Sequence, residues 1–372
     1  MAQRSYSVGI IGLGFGRAHV PAWQSQGCNV VAVCQRDLTN AKTVADRYGV
    51  PRAFERWEDM LADASPEIVD IATPPYLHHR IALEALGRGA HVLCEKPMAM
   101  NAAEARAMTE AAARAGRVAM ICFNFRFPAA MQRFHALVAE GHLGRLFHVN
   151  ARHLVPRWAD ETLAPTWRMD RTQAGHGAMG DMGVHVIDLI RWNFGEITRV
   201  SAQAGIAYPW RMAPDGSKPN DTDDFCTVMA EMASGAHVSL TVSRVARGLN
   251  EQTVEAYGTT GALSYRFTRE GARWYSGALS AASAGNFAPI RVATGLPRAV
   301  GEGDPLEVTG KATIGPLVKR FVAAIRKGES LSPSFEDGAR SQEVLDAVLE
   351  SIASGNWVSV RPSVGETAMS QA

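Results

Sequence analysis

Over the first third of the chain, hydrophobic positions fall in short, continuous, largely β-branched runs: Val8–Ile11, Val30–Cys34, Ile68–Ala72, His91–Cys94 and Val118–Cys122. Helix-like stretches lie between them, at Arg17–Gln26, Asn40–Tyr48, Arg80–Arg88 and Ala102–Ala115. Runs that are apolar throughout, rather than alternating, suit strands buried on both faces. Their alternation with helices predicts a doubly wound parallel sheet.

The texture changes after about residue 126. A helix is expected over Ala129–Glu140, ending at Gly141. Longer segments follow in which apolar and polar residues alternate: Leu146–His153, Val200–Ala207, Phe225–Met232, His237–Ser243, Thr253–Tyr257 and Leu263–Phe267. Glycine-bearing turns separate several of them, so a large, mostly antiparallel sheet with one open face is expected. Gly277–Asp304, rich in Gly, Ala, Ser and Pro, reads as a long loop; two closing helices, Pro316–Lys327 and Glu336–Ser354, come after it. The last ten or so residues are expected to be disordered. The fold class is therefore α/β, with a Rossmann-type domain over 1–125 and an α+β domain over 126–372.

A length of 372 residues supports this two-domain division, being too long for one ordinary core. A formal net charge of +1, with no basic block, argues against nucleic acid and anionic membranes as partners. No apolar stretch is long enough to span a bilayer, and the N-terminal apolar run is too short for a signal peptide, so a cytoplasmic location is expected. The five cysteines (Cys28, Cys34, Cys94, Cys122 and Cys226) have no CxxC spacing, and four lie in or beside apolar runs. They read as core thiols, implying neither disulfides nor a metal site.

The first strand runs into Gly12-Leu13-Gly14-Phe15-Gly16-Arg17 and then a helix. Glycines there permit a tight turn and let backbone N–H groups approach a pyrophosphate at a helix N-terminus. The spacing is G-x-G-x-G, with Arg17 at the usual third-glycine position; Arg17 reads either as a phosphate contact or as a solvated charge. At the end of the second strand, where an acid would hold a ribose 2′-hydroxyl, the chain has Gln35-Arg36-Asp37. A guanidinium without a preceding acid suits a 2′-phosphate and favours NADP over NAD. The opposing reading lets Asp37 serve as the acid.

Two further loops follow predicted strands, at Thr73-Pro74-Pro75 and Glu95-Lys96-Pro97, on the edge where such sheets bind ligands. Farther on, Asp181, His185 and Asp188 share one face of an otherwise apolar helix. In isolation this stripe reads equally as a satisfied core histidine with a capping acid.

Taken in order, the glycine turn, Thr73-Pro74-x-x-x-His78, Glu95-Lys96-Pro97 and Asp181-x-Gly-x-His185 resemble the Gfo/Idh/MocA oxidoreductases. Phe125-Arg126-Phe-Pro128 and Trp167-Arg168 add to the resemblance, which runs from about residue 7 to about 362. It implies a Lys96–Asp181–His185 catalytic set, cofactor contacts from the glycine turn, Thr73, Pro74, His78 and Glu95, and sugar or polyol substrates. It also assigns substrate binding and oligomerisation to the second domain, whose open sheet would form a homodimer or homotetramer. The shortened glycine turn and Pro75, where many relatives have Asn, depart from the pattern. On this reading His185 exchanges the substrate proton, Lys96 stabilises charge on oxygen, and Asp181 orients the imidazole or binds a hydroxyl. Arg126, Trp158, Trp167, Arg168 and His176 are candidates for lining the substrate pocket, and no metal is needed. Two alternatives stand beside this one: a redox glycosidase of the same family that uses bound NAD transiently, and a non-catalytic dinucleotide and sugar sensor.

Overall fold

A computed structural model describes residues 4–214, 216–268, 274–292, 304–328 and 332–361. The expected apolar runs form strands, in chain order with their helices: β1 (Ser7–Ile11), α1 (His19–Ser25), β2 (Asn29–Cys34), α2 (Leu38–Tyr48), β3 (Ala53–Phe54), α3 (Trp57–Asp63), β4 (Ile68–Ile71), α4 (His78–Gly87), β5 (His91–Cys94), α5 (Ala102–Ala115) and β6 (Ala119–Ile121). The six strands make one parallel sheet in the order β3-β2-β1-β4-β5-β6. The order reverses beside β1, which opens a ligand crevice at the carboxyl edge. Local chemistry fixes the helix ends. Asp37 accepts a hydrogen bond from the Asn40 N–H at the start of α2, and Asn101 does the same for the Glu104 N–H at α5. The first helix differs from expectation: Gly16–Ala18 is a turn of 3₁₀-helix, and α1 proper begins at His19.

The second part contains α6 (Ala129–Ala139), β7 (Leu146–Leu154), α7 (Arg171–Ala174), α8 (Val184–Phe194), β8 (Ile197–Gly205), β9 (Trp210–Ala213), β10 (Gly216–Pro219), β11 (Phe225–Met232), β12 (His237–Ser243), β13 (Glu251–Gly258), β14 (Ala262–Thr268), β15 (Ala278–Ala282) and β16 (Ala288–Ile290). After it come α9 (Pro305–Thr309), α10 (Gly315–Lys327), α11 (Phe335–Ser354) and β17 (Val358–Ser359). Nine strands form a mixed sheet, β16-β15-β14-β13-β7-β12-β11-β8-β17, in which only the β7–β12 pairing is parallel. Alternation along β11 buries Cys226, Val228, Ala230 and Met232 and leaves Phe225 and Met229 exposed. The sheet is thus covered on one side and open on the other.

One expectation is corrected. Part of the Gly277–Asp304 loop is strand, because β15 pairs with β14 and buries Leu279 at the sheet's edge; residues 293–303 lie outside the described residues, as do 362–372 at the expected disordered end. After the second sheet the chain packs back against the first. The α10 residues Leu317, Val318, Phe321 and Val322 share a buried cluster with Val8, Ile10 and Trp23 of the first domain. The Trp23 and Phe321 rings meet edge to face at 5.9 Å. The amphipathic face of α10 thus completes the cover on one side of the parallel sheet.

Candidate active site

The two sheets enclose a cavity of ≈ 1100 Å³ that begins at the glycine turn and ends among the second domain's histidines. Gly12 sits at φ +93°, and a Cβ there would lie 2.5 Å from the Ala72 carbonyl oxygen. A Cβ on Gly16 would come 2.8 Å from the Ala72 Cβ, whereas Gly14 faces open space. Gly12 and Gly16 thus permit the turn and its packing, and Gly14 leaves room for a ligand. This cradle, at the head of the 3₁₀ turn and α1, fits a dinucleotide pyrophosphate.

Gly12, Gly14, Phe15 and Arg17 all line the cavity, as do Gln35, Arg36 and Asp37 at the end of β2. Gly16 does not: it is buried against Ala72 and packs the turn. Gln35 accepts a hydrogen bond from the Asn40 side chain, while Asp37 is occupied as the α2 cap. Thr73, Pro74, Glu95 and Lys96 also line the cavity. His78 is fully buried instead, 3.0 Å from the Pro97 carbonyl through Nδ1 and 2.8 Å from the Thr73 carbonyl through Nε2. It joins the Thr73 loop to the Lys96–Pro97 loop from beneath.

Beyond them, the chain forms a π-helical turn at Met179–Gly183, and α8 follows. Asp223, just before β11, accepts hydrogen bonds from the N–H groups of Gly177 and Met179, anchoring this helix start from across the domain. π-Turns inside helices often mark functional sites. Here the turn carries Asp181, and His185 lies in the first turn of α8.

Lys96 donates from Nζ to the Asp181 carbonyl at 2.7 Å and to Oδ1 at 3.1 Å, and Arg168 Nε lies 3.4 Å from Oδ2. Burial alone would raise the Asp181 carboxyl, but Lys96, Arg168 and Arg157 outweigh it and hold the group far below the usual carboxylate range. His185 is buried between Phe125, whose ring centroid is 4.6 Å away edge-on, and Phe123. Burial first, then the charges of Lys96 and His153, push its imidazole well below the ordinary value despite Asp181. Its Nδ1 has no hydrogen-bond partner. Asp181 therefore bonds to Lys96 rather than orienting the imidazole.

Trp158, Trp167, Arg168 and His176 all line the cavity. His176 is pushed down to about 4 by burial, with Asp223 opposing and Arg171 assisting, and neither ring nitrogen has a partner. Arg126 does not reach the cavity. It is 2% exposed and locked to Asp188 by two hydrogen bonds, with Asp337 as a further partner. Asp188 is consequently engaged in the core as the ion-pair partner of Arg126.

The sequence pattern also missed several residues. His153 and Gln252 face each other across β7 and β13 and both line the cavity, as do Arg157 and Thr313. Strand register brings the first two together, and no local motif announces it. Below the cofactor crevice, His19 is 0% exposed, with Nδ1 2.9 Å from Asp70 and Nε2 3.2 Å from Glu95. Burial lowers its basicity, but the two carboxylates outweigh that and push it up to about 10. His19, Glu95 and Cys122 place ligand-type atoms within 4.8 Å of one another, a His/Cys/acid cluster that the sequence reading did not foresee. With His19 engaged by two acids and the Cys122 thiol raised by burial and by Glu95, the trio is an ion-pair and hydrogen-bond cluster. Among the described residues, no helix is long and apolar enough to cross a membrane.

A parallel sheet with a glycine turn at its carboxyl edge, closed over by a mixed sheet, is the build of a two-domain dinucleotide-binding oxidoreductase. Residues 6–123 match the profile of the oxidoreductase family with an NAD-binding Rossmann fold, and residues 131–264 match the GFO/IDH/MocA C-terminal domain. Levoglucosan dehydrogenase of Pseudarthrobacter phenanthrenivorans is 32% identical, the alignment covering 96% of this chain and 99% of that one. Glucose-6-phosphate 3-dehydrogenase of Bacillus subtilis is 26% identical over 95% and 98%. Among solved structures, levoglucosan dehydrogenase in complex with NADH and L-sorbose superposes with a TM-score of 0.86 at 31% identity, covering 97% and 100%. This chain belongs to the Gfo/Idh/MocA oxidoreductases, as the resemblance implied.

Proposed function

We propose that the protein is a nicotinamide-dependent dehydrogenase or reductase that acts on a CH–OH group of a sugar, polyol or related molecule. The observation that carries this reading is the meeting of Lys96, Asp181 and His185 in the cavity that opens from the glycine turn. Bound at that turn, the dinucleotide supplies the hydride acceptor or donor. His185, kept neutral by burial and Lys96, accepts the hydroxyl proton during oxidation or returns it during reduction. Lys96 donates to the reacting oxygen as charge develops there. Asp181 positions the Lys96 ammonium through its backbone carbonyl and its carboxylate, and Phe125 fixes the face of the imidazole.

Arg36, exposed at the cavity rim with Asp37 already engaged as a cap, supports a preference for NADP; the NADH in the relative's structure supports the other choice. Trp158, Trp167, Arg168 and His176 are proposed substrate contacts. Five buried free thiols suit the cytoplasm. The open sheet face, with Phe225 and Met229 exposed, is the proposed interface of a homodimer or homotetramer.

Fluorescence titration with NADPH and NADH, followed by the nicotinamide absorbance on adding sugars and polyols, tests the reading. Nucleotide binding with an absorbance change on one substrate class supports it, and no binding of either nucleotide overturns it. Binding and substrate cleavage without net redox would indicate the glycosidase alternative.

A further inference from the structure

The substrate end of the cavity has more positive charge, and more unpaired hydrogen-bond donors, than the protein itself answers. Two of its charged residues are matched. Arg244 is paired with Asp224 at 2.7 Å, and Glu251 with Arg152 and Arg266, both at 2.8 Å. The remaining four are Lys96, Arg157, Arg168 and Asp181, three cations against one carboxylate. Among the described residues Arg157 has no ion-pair partner of its own; its guanidinium sits over the Trp158 ring, 5.5 Å from the centroid. Arg157 is exposed at the cavity wall, within reach of the charges of Arg168 and Asp181, and open to a ligand as well as to solvent.

The hydrogen-bond inventory points the same way. Arg168 Nε and Trp158 Nε1 are buried without a hydrogen-bond partner, and Trp158 is only 8% exposed. Both can only donate. Gln252 and the neutral His176 ring each add one unpaired donor and one unpaired acceptor, and Glu251 Oε1, a carboxylate oxygen 2.8 Å from Arg152, also makes no hydrogen bond. The Arg168 and Trp158 donors both belong to the second domain, and Arg168 shares Asp181 with Lys96, whereas a pyrophosphate would rest at the glycine turn of the first. Buried donors without a partner are costly, and an anionic oxygen group is the ligand chemistry that would answer them together with the surplus of cations.

We propose that the physiological substrate carries an anionic group (a carboxylate or a phosphate) on its hydroxylated skeleton, and that Arg157 and Arg168 receive it beside Trp158. Arg168 lies over the Trp167 ring, 4.3 Å from the centroid. Two guanidiniums, each backed by an indole face, then hold the anionic group of the substrate in the second domain's part of the cavity. This inference rests on the dehydrogenase reading above.

The test is titration of the protein–NADH complex, followed by nicotinamide fluorescence, with three six-carbon probes: D-glucitol, D-gluconate and D-glucitol 6-phosphate. We expect at least one anionic probe to bind about tenfold or more tighter than uncharged glucitol, the gap closing as salt is added. Which anion gains distinguishes carboxylate from phosphate. Arg157→Gln should shrink the gap to about threefold or less, and Arg157→Lys should restore part of it. Equal binding of all three probes, binding of none of them, or a gap unchanged in Arg157→Gln overturns the proposal. Failure of NADH itself to bind would instead overturn the dehydrogenase reading.

Discussion

His19→Leu removes the imidazole that separates two buried acids, Asp70 at 0% and Glu95 at 6% exposure. Asp70 also accepts a hydrogen bond from Trp23 Nε1 at 2.6 Å, and Glu95 accepts one from the Lys96 N–H, so neither acid can turn away to solvent without breaking other bonds. Raising the imidazole from 6.5 to about 10 corresponds to a ceiling of about 5 kcal/mol of folding stability below pH 6.5 and about 4 kcal/mol at pH 7, counting ~1.4 kcal/mol per pH unit. Truncating one partner of a buried ion pair costs about 3–5 kcal/mol, and protonation of a stranded acid limits the loss, so about 3–4 kcal/mol is expected. The sign in pH follows from the direction of the shift. A group whose basicity is higher in the folded than in the unfolded chain contributes fully below pH 6.5, and loses that contribution as pH rises through about 10. Urea unfolding of wild type and His19→Leu at pH 6, 8 and 10 measures this. The gap in stability should be widest at pH 6 and should narrow by pH 10. A variant as stable as wild type at pH 6, or a gap that widens with pH, would refute the assignment of His19 as a buried cation.

Three further predictions come from neighbouring parts of the structure. Because burial and Lys96 push His185 well below the ordinary imidazole value, kcat/KM for alcohol oxidation should fall only on the acidic side, below pH 6.5. Lys96→Met, which removes one of those causes, should move that limb to higher pH; pH–rate profiles of the two enzymes decide. Gly12→Ala forces a side chain to φ +93° and to 2.5 Å from the Ala72 oxygen, so it should weaken nucleotide binding about tenfold or more and cost about 1–3 kcal/mol of stability. Fluorescence titration and urea unfolding check both effects. Arg126→Leu strands Asp188, whose carboxyl burial already pushes up, and should destabilise the fold by about 3–5 kcal/mol without changing KM in the enzyme that remains folded.

The elements that could be read from sequence are those whose side chains report their own surroundings. The strands from Val8 to Cys122 are almost wholly apolar, Asp70 being the buried charged exception, because both their faces are covered, and β11 alternates because one of its faces is not. The glycine turn and the Lys96 and Asp181–His185 motifs were visible because turn geometry and helical spacing leave local marks. The residues misjudged or missed depend on long-range partners. Arg126 reads as a ligand contact from its charge, and only the approach of Asp188 and Asp337 shows that it is a core strut. His19 lies in a helix start that looks ordinary until β4 and β5 bring two acids beneath it. Gln252 enters the cavity through its register opposite His153, and Thr313 through the return of the chain after the second sheet, where Asn124 donates to its hydroxyl. The bond from Lys96 to Asp181 left no mark in the sequence, because the Lys96 side chain reaches it from another domain.

The central claim is that hydride exchange at this cavity depends on Lys96 and His185 and not merely on nucleotide binding. The most direct test follows the nicotinamide absorbance of wild type, Lys96→Ala and His185→Ala in single turnovers with one reactive substrate, with nucleotide dissociation constants measured in parallel. The account predicts a loss of about a hundredfold or more in the rate for each variant, with nucleotide affinity close to that of wild type. Variants that transfer hydride at the wild-type rate, or that lose activity only in proportion to lost nucleotide binding, would contradict it.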